Sequence, residues 1–167
     1  VGHSDATAQQ VAAAVDAGAR MVTHLFNAQR PLHHREPGVV GQALTDPRLT
    51  SGLIADLTHV AAAACAIAFA AAPGRICLVT DASAAAGMAP GRYRLGGKLV
   101  EVRPGDGQAP RLADGTLAGS VLRMDRAVAN AVAVGVGLAE AVAAATRIPA
   151  DLLGRPDLGR LNPGAAA

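Results

Sequence analysis

The sequence has no tryptophan, a single tyrosine (Tyr93) and two phenylalanines in 167 residues. A core without large rings must be filled by small aliphatic side chains, and alanine supplies much of the 51% apolar content. That suits thin helices packed closely on a sheet. Charged residues are also scarce, at 17% with a formal net charge of +2. So apolar a chain of low net charge can bury a sizeable core, which argues against disorder. Its basic residues are scattered, with no Lys/Arg cluster interleaved with aromatics, which excludes a nucleic-acid footprint. The two cysteines, Cys65 and Cys77, lack CxxC spacing and lie in apolar runs. They read as buried free thiols of a reducing compartment. The longest apolar run, Val60 to Pro73, is too short to span a bilayer, and the stretch from Ala127 to Thr146 is interrupted by Asn130 and Glu140. No signal peptide is legible. The expectation is a cytoplasmic protein that engages neither nucleic acid nor membrane.

Against these absences stands a repeating pattern in which apolar, strand-like runs end in polar residues and helix-like segments follow. Val1-Gly2-His3 reads as the tail of a strand already under way, with Ser4 and Asp5 as N-cap residues. Gln9 to Ala17 has helical composition and Gly18 is its stop. Met21 to Phe26 is the next strand. A loop with Pro31 and Pro37 precedes a short helix around Val39 to Leu44. Gly52 to Ala55 is a third strand ending at Asp56, Val60 to Ala72 an Ala-rich helix closed by Pro73-Gly74, and Ile76 to Thr80 a fourth strand ending at Asp81. This alternation predicts βαβ units around a parallel sheet. The second half differs. Tyr93 to Thr116 reads as one or two inserted hairpins. Gly119-Ser120 then opens a helical stretch, with helices over Met124 to Val136 and Leu138 to Arg147 and a short third one from Pro149. At the other end, Leu161-Asn162-Pro163-Gly164 and three alanines give no structural closure, so the chain reads as a piece of a longer protein.

In a β/α barrel the C-terminal edge of the sheet is where active sites are built. The four strand ends carry His3, His24, Asp56 and Asp81, with His59 just beyond the third. Histidines on adjacent strand ends have ligand geometry for Zn or Fe, which favour imidazole nitrogen; either one alone reads equally as a capping histidine. A carboxylate at Asp81, facing a metal, can act as general base and then general acid, or it can cap the next segment. Arg35 offers a planar fork for an anion, and the turn over Thr23 to Ala28 exposes backbone N–H groups that can hold a phosphate. His33 and His34 lie in the same loop without an assigned role, and Glu36 reads as a loop ion-pair partner. His59 reads either as a hydrogen-bonding group for a sugar hydroxyl or phosphate, or as the start of the next helix. Leu117-Ala118-Gly119-Ser120 is a tight turn where backbone can approach a ligand, or a plain N-cap at Ser120.

Taken in order, GHSDAT (Gly2 to Thr7), THLFNA (Thr23 to Ala28), REPG (Arg35 to Gly38), GLIAD-x-x-HV (Gly52 to Val60), LVTDA (Leu78 to Ala82) and LAGS (Leu117 to Ser120) resemble the N-acetylglucosamine-6-phosphate deacetylases of the amidohydrolase superfamily. The resemblance spans nearly the whole chain. It implies an α/β fold, a partial (β/α)8 TIM-like barrel comprising strands five to eight, with an inserted β-hairpin region and C-terminal helices. Residues 1–167 would then be the C-terminal part of the catalytic barrel, without its first half or most of a small β-sandwich domain. The same resemblance makes His3 and His24 ligands of a divalent metal, Zn foremost and Fe as an alternative, and Asp81 the proton acceptor and donor. It places Asn27, Ala28, Arg35 and His59 on a phosphorylated amino sugar, with Arg35 reaching toward the neighbouring subunit of a homodimer, and Leu117, Ala118 and Gly119 along the acetyl and sugar pocket. The reaction implied is hydrolysis of N-acetylglucosamine 6-phosphate to glucosamine 6-phosphate and acetate.

The chain departs from the family pattern at several points. The family's glutamate metal ligand lies on an earlier strand that this chain does not include. Leu57 replaces the glycine that usually follows the aspartate, Gln29 replaces a methionine, and alanines stand where a returning strand is expected. These departures imply that the chain alone is inactive. Two other readings remain open from the residues: another amidohydrolase acting on a cyclic amide, and a non-catalytic truncated half-barrel.

Overall fold

The computed structural model describes residues 1–103, 109–163 and 165. Three short strands, β1 (Met21–Val22), β2 (Thr50–Leu53) and β3 (Ile76–Leu78), form a parallel sheet in the order β1-β2-β3. Met21 pairs with Thr50 and Gly52 with Cys77. Three helices alternate with them: α1 (Ala8–Asp16), α2 (Gly38–Thr45) and α3 (Ala62–Ala71). The alternation read from the sequence is therefore present, with β1 and β3 shorter than expected and β2 two residues earlier. The chain start forms no strand, but it runs beside β1. Val1 donates to the Met21 carbonyl at 2.7 Å and accepts from Thr23 N at 2.9 Å.

The strands read as apolar because side chains on both of their faces are enclosed: every residue of Ile76–Leu78 is buried. Val22, Leu25, Leu49, Leu53 and Ile54 are wholly buried. The Ala-rich α3 contributes Ala68 and Phe69 to this core. Gly52 is required by close approach: a Cβ there would lie 3.2 Å from His24 N and 3.1 Å from Met21 Cε. Without that Cβ, the turn after β1 settles onto β2, and Leu25 N donates to Gly52 O at 2.7 Å.

Beyond β3, β4 (Gly91–Leu95) and β5 (Lys98–Val102) form an antiparallel hairpin. Arg111 extends it through bridges to Glu101 and Leu117. Helices α4 (Met124–Ala133), α5 (Leu138–Ala145) and α6 (Arg147–Leu152) follow, and all three pack against β3. Pro149 falls in the first turn of α6, where its missing N–H costs nothing.

Two expected caps lie elsewhere. The N-cap of α1 is Thr7 rather than Ser4 or Asp5. Its Oγ1 accepts from Gln10 N while Gln10 Oε1 accepts from Thr7 N, a reciprocal capping box. Asp5 instead holds Arg30 through two bonds of 2.7 and 2.9 Å. Nor does Ser120 cap a helix, since α4 begins at Met124. Ser120 is fully buried, donates to the Thr80 carbonyl and accepts from Leu122 N at 3.0 Å.

Candidate active site

The turns that leave the C-terminal edge of the sheet share an unusual backbone. Among the described residues, six non-glycine positions have positive φ: His3 (45°), His24 (27°), Phe26 (76°), Ala28 (50°), Leu57 (64°) and Asp81 (48°). Each such residue costs on the order of 1–3 kcal/mol and persists only where its surroundings impose it, typically at functional sites. These turns follow the chain start, β1, β2 and β3, so the strain is concentrated on one edge.

His3 and His24 meet there. Their Nε2 atoms are 2.9 Å apart, with ring centroids at 4.7 Å and planes crossed at 71°. His24 is buried, and its Nδ1 finds no partner among the described residues. Both Nε2 atoms can lie within about 2.0–2.1 Å of one zinc ion, so the pair fits an imidazole-binding metal. Among the described residues no cluster of three His, Cys, Asp or Glu side chains surrounds such a position. The two imidazole nitrogens would therefore be only part of the ligand set of such an ion.

The turn after β1 is held from within. Gln29 accepts from Phe26 N at 3.1 Å through Oε1 and donates to the Thr23 carbonyl at 2.9 Å through Nε2. Asn27 donates to the His24 carbonyl through its backbone N–H at 2.9 Å and to the Leu25 carbonyl through Nδ2 at 3.3 Å. The side chain at position 29, where the family pattern has methionine, therefore clamps the segment that presents His24, Asn27 and Ala28.

After β2, Asp56 and His59 form a close pair. Asp56 Oδ2 lies 2.6 Å from His59 Nδ1, while Oδ1 accepts from His59 N at 2.7 Å and Thr58 N at 2.9 Å. Burial works to raise the Asp56 carboxyl. The hydrogen bonds from His59 and Thr58 outweigh it and hold the group below its ordinary value. Asp81, after β3, is exposed, and its carboxylate has no hydrogen-bond partner among the described residues.

These groups open onto one cavity of about 660 Å³. His3, His24, Asn27, Ala28, His59 and Asp81 line it from the sheet edge. Leu117, Ala118 and Gly119 close another side. Gly119 has φ 66°, and a Cβ there would lie 3.1 Å from Ser83 Cβ and 3.3 Å from Asp81 O. The segment is laced to the Asp81 turn by Ser120 N donating to Asp81 O at 2.7 Å and Ser83 N to Ser120 O at 2.8 Å.

Arg35 lies apart from this cavity. It is exposed, with Nη1 2.9 Å from His34 Nε2, and His33 and His34 stack at 4.3 Å beside it. Glu36 is not the loop ion-pair partner expected; Oε1 accepts from Ala8 N at 2.9 Å and Gly38 N at 3.1 Å, at the starts of α1 and α2. The hairpin contributes lining groups the sequence reading left out, Leu95 and Lys98. Their signal was the Gly96-Gly97 turn, which marks a hairpin tip but not what the tip overhangs.

No protein-family model matches the chain. Comparison with individual proteins is more informative. An N-acetylgalactosamine-6-phosphate deacetylase of Escherichia coli O157:H7 is 49% identical over 169 residues, covering 100% of this chain and 44% of the relative. A shorter protein of Escherichia coli K12 is 48% identical over 146 residues, 86% of each chain. The solved structure of a mutant N-acetyl-D-glucosamine-6-phosphate deacetylase from Mycobacterium smegmatis, in complex with N-acetyl-D-glucosamine-6-phosphate, superposes with a TM-score of 0.92. It is 42% identical, and the match covers 100% of this chain and 45% of that one. The chain belongs to the N-acetylglucosamine-6-phosphate deacetylase family. It spans less than half the length of the O157:H7 relative and of the solved structure. Within this deacetylase family chain, nine of the ten residues singled out from the sequence line the cavity, and Arg35 is the exception.

Proposed function

We propose that this chain is the C-terminal half of an enzyme that hydrolyses the acetamide of N-acetylglucosamine 6-phosphate to the free amine and acetate. In this reading the chain start together with the three strands of its sheet corresponds to strands five to eight of a (β/α)8 barrel. The observation that carries the proposal is the convergence of His3, His24, His59 and Asp81, from four successive turns, on one cavity. His3 and His24 would hold a divalent metal, Zn foremost. Such an ion, when bound, supplies Lewis-acid polarisation and favours ionisation of water. Asp81 is placed to accept the proton of the attacking water and to return it to the departing amine nitrogen. Exposed and free of partners among the described residues, its carboxylate is available for both transfers. Asn27, Ala28 and His59 bind the phosphorylated end of the sugar, and Leu117 to Gly119 shape the acetyl side. Arg35, exposed and away from the cavity, reaches the phosphate of a neighbouring subunit in a homodimer. A cytoplasmic location fits the two buried free thiols, with burial pushing Cys65 up to about 11.

The test is acetate release by the full-length protein from N-acetylglucosamine 6-phosphate and from the unphosphorylated sugar, with zinc and after chelation. Metal-dependent turnover of the phosphorylated sugar, lost in Asp81→Asn, is expected. A folded, zinc-loaded protein without turnover would overturn the substrate assignment. The 49% identity to an N-acetylgalactosamine-6-phosphate deacetylase favours the C4 epimer as a second reading, so the galactosamine substrate belongs in the same assay.

A further inference from the structure

His59 lines the cavity yet is held tightly from behind. Its ring is 5% exposed, and Asp56, 13% exposed, grips it at three atoms: Nδ1 and backbone N directly, and the preceding peptide through Thr58 N. The turn is anchored on both sides. Asn130 on α4 donates Nδ2 to the Ala55 carbonyl at 2.9 Å, and Cys65 on α3 lies 3.6 Å from the Val60 carbonyl through Sγ.

We infer that Asp56 is a positioning residue that fixes the proton of His59 on Nδ1 and turns Nε2 into the cavity. The physical reason is the donor count. An ionised carboxylate only accepts hydrogen bonds. At 2.6 Å, Nδ1 must be the protonated nitrogen, which leaves Nε2 as the atom that meets the ligand. The inference deepens the proposed function, because the ligand it serves is the phosphorylated sugar. In a neutral ring, Nε2 is an acceptor and suits a sugar hydroxyl. In a charged ring it is a donor and suits the phosphate. Asp56 sets the same orientation for both, so a ligand meets a ring already aimed rather than one that must be ordered on binding.

The isosteric Asp56→Asn variant separates this from a merely structural role. Its Oδ1 can still accept from Thr58 N and His59 N, so the turn is kept. Its Nδ2 can only donate, so His59 Nδ1 must become the acceptor and the proton moves to Nε2. Two readouts on the full-length protein follow. In long-range ¹H–¹⁵N spectra, the wild-type His59 ring shows Nδ1–H, and Asp56→Asn shows Nε2–H. In kinetics on N-acetylglucosamine 6-phosphate, Asp56→Asn raises KM roughly tenfold with a much smaller change in kcat, in line with outer-shell partners of functional histidines. The double variant Asp56→Asn/His59→Gln is no worse than His59→Gln alone, because Asp56 acts through His59. An unchanged tautomer in Asp56→Asn, or losses that add in the double variant, would overturn the inference. A wild-type protein without turnover sinks the functional reading instead, and the tautomer spectrum then still decides the positioning role.

Discussion

Leu57 is the residue whose cost is most visible in the backbone. It occupies φ 64° in the turn between Asp56 and His59, and it is 37% exposed. A branched side chain in the left-handed region costs on the order of 1–3 kcal/mol. Glycine there would remove that strain at an entropic cost of about 0.5–1 kcal/mol. Leu57→Gly and Leu57→Ala give up nearly the same side-chain burial, so Leu57→Gly is expected to be about 1 kcal/mol more stable than Leu57→Ala, measured as a shift in urea midpoint at constant slope. Equal or lower stability would show that the turn is not strained. This position also shows what was legible. Leucine in place of the family's glycine was evident in the motif, and the positive φ supplies its physical meaning. The same backbone state at His3, His24 and Asp81 was not legible, because histidine and aspartate, though enriched at positive φ, adopt it at only a small minority of their positions. Gln29 was seen as a departure too, yet its clamp across Thr23 and Phe26 depends on a fold of the turn that no local pattern encodes.

The elements were read well in kind and poorly in extent. Strands β1 and β3 are shorter than their apolar runs and β2 lies two residues earlier than its run, because the polar turns begin while the side chains are still buried: Leu25 and Ile54 lie past the ends of β1 and β2 and are wholly enclosed. What holds an element's end was least legible where the partner is remote. The C-terminus of α2 leaves unsatisfied carbonyls, and Arg75, just before β3, takes them. Its guanidinium donates to Ala43 and Asp46 at 3.0 Å, to Leu49 at 2.9 Å and to Leu44 at 2.6 Å. A cation at a helix C-terminus gains from the helix dipole as well as from these bonds. The sequence marked Pro73-Gly74 as a helix stop and passed over the arginine beside it. Arg75→Met keeps the apolar stem and removes all four bonds. It is expected to lower stability by about 2–4 kcal/mol, since bonds to a charged donor contribute about 1.5–3 kcal/mol and those sharing one group are not additive. Thermal unfolding of the variant checks this, and a loss below about 0.5 kcal/mol would mean that solvent caps the helix equally well.

At the scale of the whole molecule, the cavity is built from both halves of the chain, the sheet edge and the hairpin-to-α4 segment, yet the metal site proposed for it would be partial. His3 and His24 would give two donors, whereas a zinc site takes four ligands, with three from protein when one position stays open for chemistry. Complete four-ligand sites bind with about 10–16 kcal/mol at neutral pH. Two of four donors, already placed 2.9 Å apart, should retain roughly half of that, about 5–8 kcal/mol. That corresponds to dissociation constants on the order of 10⁻⁴–10⁻⁶ M. Titration calorimetry of the 167-residue chain with Zn²⁺ is expected to fall in that range and to lose the signal in His24→Ala. The full-length protein should bind at least about a hundredfold more tightly, because a single added donor at a preformed site contributes a few kcal/mol. Nanomolar binding by this chain that survives His24→Ala would place the metal on other residues. It would remove the reason for facing two imidazoles across a strained pair of turns.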